Sequence, residues 1–172
     1  MNKSGLSAVL AGAVLTAMSL IIPLAFGGVL GIVIPPFSAT LASHVPVMLA
    51  MLFSPWVAAF VGIGSAIGFL IRFGPVIAAR AAMHAIFGFI GATLIQGGKS
   101  FSFALAATAP IHALLEALVV IPFGFTLFQF LVVVGVGTLI HHSVDSVITL
   151  ALVTSLQHTP LRKLFGRSRP AT

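Results

Sequence analysis

Polar positions are sparse along this chain, and the apolar runs between them are too long for the helices of a soluble core. The first run extends from about Gly5 to Phe26 behind Met1-Asn2-Lys3, which leads straight into it with no break of the kind that ends a signal peptide. A second covers about Phe37 to Phe53, with Pro46 near its start, and the Ser54-Pro55 break opens a third, about Trp56 to Ile71. Arg72-Phe73-Gly74-Pro75 turns the chain into a fourth run, which ends near Gln96 at the polar loop Gly97-Gly98-Lys99-Ser100. The fifth runs from about Phe101 to Pro122, and the sixth ends near Thr159-Pro160. The runs are continuous, not alternating with period two, which excludes membrane β-strands. A spanning helix needs about 20 residues, so the pattern predicts an all-α integral membrane protein with six transmembrane helices. Counted from Thr126, the sixth would be nearly 50 Å long at about 1.5 Å per residue, so its beginning is a loop, an interfacial segment or a tilted helix. The segment from Gly27 to Pro36 is too apolar for an aqueous loop and reads as a cap over the bundle, a candidate lid.

Composition agrees: 59% of the 172 residues are hydrophobic and 6% charged, against roughly 25% charged in a soluble domain. The mean hydropathy is +1.23. A soluble enzyme is excluded. With no cysteine there is no disulfide or thiolate chemistry, and the chain reads as a single domain over 1–172 ending in a basic tail, 158–172. The net charge of +6 does not point to nucleic acid, because the basic residues are scattered. Their placement predicts orientation instead. With both ends cytoplasmic, Lys3, Lys99, Arg162, Lys163, Arg167 and Arg169 lie inside and only Arg72 lies in an external connection. The lid segment and the Arg72 turn are then external.

Ionisable groups in hydrocarbon are costly and face a cavity or a partner. Arg80 and His84, His112 and Glu116, and His141 and Asp145 are each spaced i, i+4, so each pair shares a helical face. Counted from the cytoplasmic helix ends, His84, Glu116 and Asp145 all stand about 18–21 Å up, in the outer half of the membrane. In the bland reading Arg80 pairs with Glu116 and His141 with Asp145 to fix helix register. Three coincident pairs favour a polar pocket for a small hydrophilic solute, in which Arg80 offers a forked donor and the carboxylates accept. His44, near the start of the second span, is either pocket wall or a helix-end hydrogen bond. His142 points elsewhere on its helix and reads as structural, His158 as solvated and Trp56 as an interfacial anchor. The first span carries small residues at four-residue spacing, including Ala13 and Ala17, which suit either internal packing or a docking groove.

Several stretches together resemble the substrate-binding S components of energy-coupling factor vitamin transporters. They are Ala13-Val14-Leu15-Thr16-Ala17, the apolar first loop, Pro35-Pro36-Phe37-Ser38-Ala39-Thr40-Leu41-Ala42-Ser43-His44-Val45-Pro46, and Gly137-Thr138-Leu139-Ile140-His141-His142-Ser143-Val144-Asp145. The match covers nearly the whole chain and is nearest to members assigned to hydroxymethylpyrimidine, pyridoxine or niacin. It implies a plasma-membrane subunit that captures a vitamin outside and releases it inside. Its partners would be a transmembrane coupling subunit, docked on Ala13 and Ala17, and two cytoplasmic ATPases. Hydroxymethylpyrimidine or pyridoxine is the expected cargo, with niacin as the alternative, and Arg80, His84, His112, Glu116, His141, Asp145 and His44 as substrate-binding residues. No catalytic residue, metal or cofactor is expected in the chain itself: it lacks a phosphate-binding Gly-x-x-x-x-Gly-Lys motif, so ATP would be used by the partners. Members that take up cobalt or nickel use a histidine where this chain has Asn2.

Two other classes compete. An intramembrane enzyme is disfavoured because His-Glu-x-x-His is absent and Gly62-Ile63-Gly64-Ser65 lacks the Gly-x-Ser spacing of a nucleophile. A proton-coupled carrier would use Glu116, Asp145 and the histidines as a relay.

Overall fold

The computed structural model describes residues 3–159. In chain order the elements are α1 (Lys3–Phe26), β1 (Gly31–Ile34), β2 (Phe37–Thr40), α2 (Val45–Ala50), α3 (Pro55–Phe73), α4 (Pro75–Gln96), α5 (Phe101–Val119) and α6 (Gly137–Gln157). A short 3-10 turn at Ile121–Phe123 follows α5, and a π-helical stretch, Gln129–Val136, runs directly into α6. Five helical segments are long and apolar enough to cross a membrane: Gly5–Phe26, Pro55–Phe73, Pro75–Gln96, Phe101–Phe123 and Gln129–Gln157. The last settles the uncertain start of the sixth run: it is a helix, wound in wide turns at its beginning.

The expected second spanning helix is corrected. Phe37–Thr40 is a strand paired antiparallel with Gly31–Ile34, Gly31 opposite Thr40 and Ile34 opposite Phe37, across a cis Pro35-Pro36 peptide. After it the chain turns through Ala42, at φ 66°, into a helix of only six residues. Residues 43–51 are all buried within the protein. The segment is as apolar as a lipid-facing helix because it forms a plug in the bundle, and irregular backbone is tolerated at membrane depth when protein surrounds it.

The plug still returns the chain to its starting end, because α1 and α3 run parallel. Gly12 packs on Val57, Gly64 on Thr16 and Gly68 on Leu20. On the other side α2 runs parallel to α4, with Val47 against Gly88 and Met51 against Gly91. The hairpin and Arg72 share one end of the bundle, where Gly27 abuts the Phe73 ring and Gly28 the Arg72 guanidinium. The Gly97–Lys99 turn, between α4 and α5, lies at the other.

Local chemistry sets the boundaries. Ser54 caps α3 by accepting from the Val57 N–H, Pro55 occupies its first turn, and Gly74 at φ 85° breaks it before Pro75 starts α4. Ser100 caps α5 through the Phe103 N–H. Gly62 lets α3 approach α4 closely, since a Cβ there would stand 2.3 Å from the Ala85 nitrogen. That contact brings Ser65 to His84 and sets the level of the polar centre. Beneath it Val47, Met48, Met51, Val61, Phe87 and Leu105 fill the core.

Candidate functional site

Glu116 on α5 is the hub. Its Oε2 accepts from Arg80 Nε at 3.0 Å, from Arg80 Nη2 at 2.5 Å and from Thr138 Oγ1 at 2.6 Å. Its Oε1 stands 3.1 Å from His112 Nε2 and 3.6 Å from His84 Nε2. The i, i+4 spacings produce this meeting: Arg80 and His84, one turn apart on α4, face His112 and Glu116, one turn apart on α5. The guanidinium also reaches the hairpin, where Nη1 donates to the Pro36 carbonyl at 3.1 Å and Nη2 to that of Ser38 at 3.4 Å. The segment read from sequence as a lid therefore roofs the site.

The second carboxylate, Asp145 on α6, is held by the β2–α2 connection. Its Oδ1 accepts from the Ala42 N–H at 2.9 Å and Oδ2 from the His44 N–H at 3.0 Å. The left-handed turn at Ala42 curls the connection around it. His44 Nδ1 lies 3.0 Å and His141 Nε2 3.3 Å from Oδ2, the former an ion-pair approach without an aligned hydrogen bond. The His44 ring joins the two carboxylate clusters, with centroids 4.7 Å from His84, 4.8 Å from His112 and 4.3 Å from His141. All seven residues singled out from sequence thus meet in one connected cluster. Six of them are buried, and His141 is nearly so.

Removing one member of a buried, hydrogen-bonded ion pair such as Arg80–Glu116 costs about 3–5 kcal/mol, because the other charge is left unpaired. The space left among these side chains is about 10 Å³, bordered by Arg80, His84, Glu116, His44 and His141 with Phe69 and Ile77 as apolar wall. That is room for about one water molecule. A flat ring fits only when the walls part. An apolar groove of about 330 Å³ runs alongside, between the hairpin and α6, and His141 borders both spaces.

Among proteins of known function, the chain is 35% identical over 171 residues to the niacin transporter NiaX of Lactococcus lactis subsp. cremoris (strain MG1363). The match takes in 88% of this chain and 75% of that protein. The chain belongs to the NiaX family of transporters. No protein-family model matches it, and no solved structure matches it. Membership supports a vitamin-uptake S component in a multi-pass membrane setting and is consistent with a chain that is not an enzyme. The preference for hydroxymethylpyrimidine or pyridoxine finds no support in it.

Several site residues escaped the sequence reading. Thr138 bonds Glu116, Ser65 Oγ lies 2.9 Å from His84 Nδ1, and the carbonyls of Pro36 and Ser38 face Arg80. His142, read as structural and turned to another side of its helix, is fully buried against the neighbouring α5, with Nδ1 3.1 Å from His112 Nδ1 and Nε2 3.1 Å from the Leu105 carbonyl. Its place depends on packing across the bundle: α6 lies against both α2 and α5, so adjacent positions on it both face protein. His158 is exposed, as expected.

On α1, Ala13 and Ala17 are exposed while Leu15 and Ser19 are buried, Ser19 donating to the Val61 carbonyl at 2.9 Å. One small-residue ridge, Gly12 included, is internal packing and the other faces outward. Asn2 and the basic tail from residue 160 lie outside the described residues.

Proposed function

We propose that this chain is the niacin-binding S component of an energy-coupling factor importer and that it takes its cargo as the nicotinate anion. The observation that carries the reading is the single buried cluster of Arg80, Glu116, Asp145 and five histidines inside an otherwise apolar bundle. Hydrocarbon tolerates such a cluster when it has a task. Kinship with a niacin transporter favours niacin over hydroxymethylpyrimidine and pyridoxine, and the chemistry agrees. Arg80 is the one cation inside the bundle among the described residues, and its planar fork suits a carboxylate. Nicotinate would displace the Pro36 and Ser38 carbonyls from the guanidinium, so capture loosens the hairpin's hold on the site. Phe37, whose ring centroid lies 5.1 Å from that guanidinium, offers a face to the pyridine ring.

The distribution of Lys and Arg favours cytoplasmic termini in the plasma membrane, with the hairpin outside. The partners are then a transmembrane coupling subunit, seated on the outward Ala13 and Ala17 ridge, and two cytoplasmic ATPases that use the ATP. Mass spectrometry of ligand released from the purified protein, followed by calorimetry with nicotinate, hydroxymethylpyrimidine and pyridoxine, tests the cargo. Nicotinate is expected to be released and to bind most tightly. Concentrative uptake into liposomes by this chain alone would contradict the subunit reading and indicate a carrier.

A further inference from the structure

Three histidines and a carboxylate around one point make more than an ion-pair network. Donor atoms of His44, His84, His112 and Glu116 all lie within 4.8 Å of one another, and all four residues are buried. With metal–nitrogen and metal–oxygen bonds of about 2.0–2.1 Å, the edges of a tetrahedral zinc site are about 3.3–3.4 Å. The 3.1 Å and 3.6 Å separations from Glu116 Oε1 to His112 and His84 bracket that edge.

Two of the rings, His84 and His112, are held from behind by a hydrogen bond at the other nitrogen, as metal-ligating histidines require, and His44 stands with Nδ1 against a carboxylate. His84 Nδ1 is 2.9 Å from Ser65 Oγ, His112 Nδ1 is 3.1 Å from His142 Nδ1, and His44 Nδ1 is 3.0 Å from Asp145 Oδ2. Nε2 of His84 and of His112 faces Glu116 Oε1 at the centre. The His112 branch can be followed further, since it ends on a backbone carbonyl that only accepts. His142 Nε2 must therefore donate to Leu105 at 3.1 Å, and a neutral His142 then presents a lone pair at Nδ1. His112 Nδ1 must donate to it. A neutral His112 is left with a lone pair on Nε2, aimed at the Glu116 carboxylate 3.1 Å away. Two lone pairs at that distance repel unless a cation lies between them. A proton answers for one such contact, whereas a metal ion answers for all four donors. Arg80 and Thr138 hold Oε2 meanwhile, so Oε1 stays turned to the histidines.

Charge points the same way. With neutral histidines, Arg80 offsets one of the two buried carboxylates and leaves one negative charge, a poor receptacle for an anion. A divalent ion converts this to one positive charge, and a singly charged vitamin then brings the site to neutrality.

We propose that His44, His84, His112 and Glu116 bind one divalent first-row transition-metal ion of the zinc type. The ion lies in the pocket assigned above to the vitamin, but its binding rests on the four donors and not on which vitamin they meet. The test uses the full chain in detergent with its affinity tag removed, stripped with a chelator and then titrated with zinc, with metal content read by mass spectrometry. Cobalt serves as a second probe, because tetrahedral cobalt absorbs strongly in the visible. One ion per chain is expected, with the tetrahedral cobalt spectrum. His84→Ala and His112→Ala should lose the ion, Ser65→Ala should weaken it about 10- to 100-fold, and His158→Ala should leave it unchanged. Failure of the wild-type chain to take up zinc or cobalt overturns the proposal without recourse to any variant. So does metal retained by monodisperse His84→Ala and His112→Ala proteins. Nicotinate binding on the same preparations separates the two readings: zinc bound without nicotinate supports the metal site and counts against niacin, and nicotinate bound without zinc does the reverse.

Discussion

Helices α1 and α5 are both long and apolar enough to cross a membrane, yet 17% of the most apolar part of α1 is buried against protein and 50% of that of α5. The difference follows from where the few polar groups sit. His112 and Glu116 draw α4, α6 and the hairpin around α5, whereas α1 leans on α3 through small residues and leaves Ala13 and Ala17 facing outward. Hydropathy reports only that a helix can cross a membrane. The polar and small residues decide whether it is drawn into the bundle or left facing outward.

Changes at α5 should therefore strike stability and binding, and changes on the outer face of α1 neither. The largest effect is expected for Glu116→Ala, which strands Arg80 in the core and should cost about 3–5 kcal/mol, read as a fall in the thermal unfolding midpoint in detergent. Glu116→Gln and Asp145→Asn keep the shape and remove a charge. Both are expected to stay assembled; Glu116→Gln takes a donor from the proposed metal site and should lose about 10- to 100-fold in nicotinate affinity by calorimetry, whereas Asp145→Asn leaves the four donors in place and should lose less. Gly62→Ala should cost about 1–3 kcal/mol, because its Cβ would press on the Ala85 backbone and push His84 out of line. At the small end, Ala13→Trp and Ala17→Trp should change stability by less than about 0.5 kcal/mol and leave ligand binding intact. They should abolish co-purification with the coupling subunit. If the tryptophans unfold the chain instead, the contrast between the two helices fails.

Much of this arrangement was legible in the residues. The i, i+4 pairs identified the cluster because intramembrane charges have few places to go, and Arg80–Glu116 and His141–Asp145 pair as the register-fixing reading has them. The second span was misread because hydropathy cannot tell burial in lipid from burial in protein: the run from Phe37 to Phe53 is a strand and a plug. Thr138 and Ser65 were invisible for a similar reason, since threonine and serine are ordinary in membrane helices and gain meaning only from the partner across the bundle. The tautomer chain through His142 depends on a carbonyl on another helix, which spacing along α6 cannot reveal.

The most direct test is calorimetric titration of the wild-type chain with nicotinate beside Arg80→Lys, which keeps the charge but loses the fork. The wild type should bind one nicotinate per chain, and Arg80→Lys should bind it about tenfold or more weaker, since a forked, charge-assisted contact is replaced by a point charge. Equal affinity in the two proteins would contradict capture of the vitamin by this cluster.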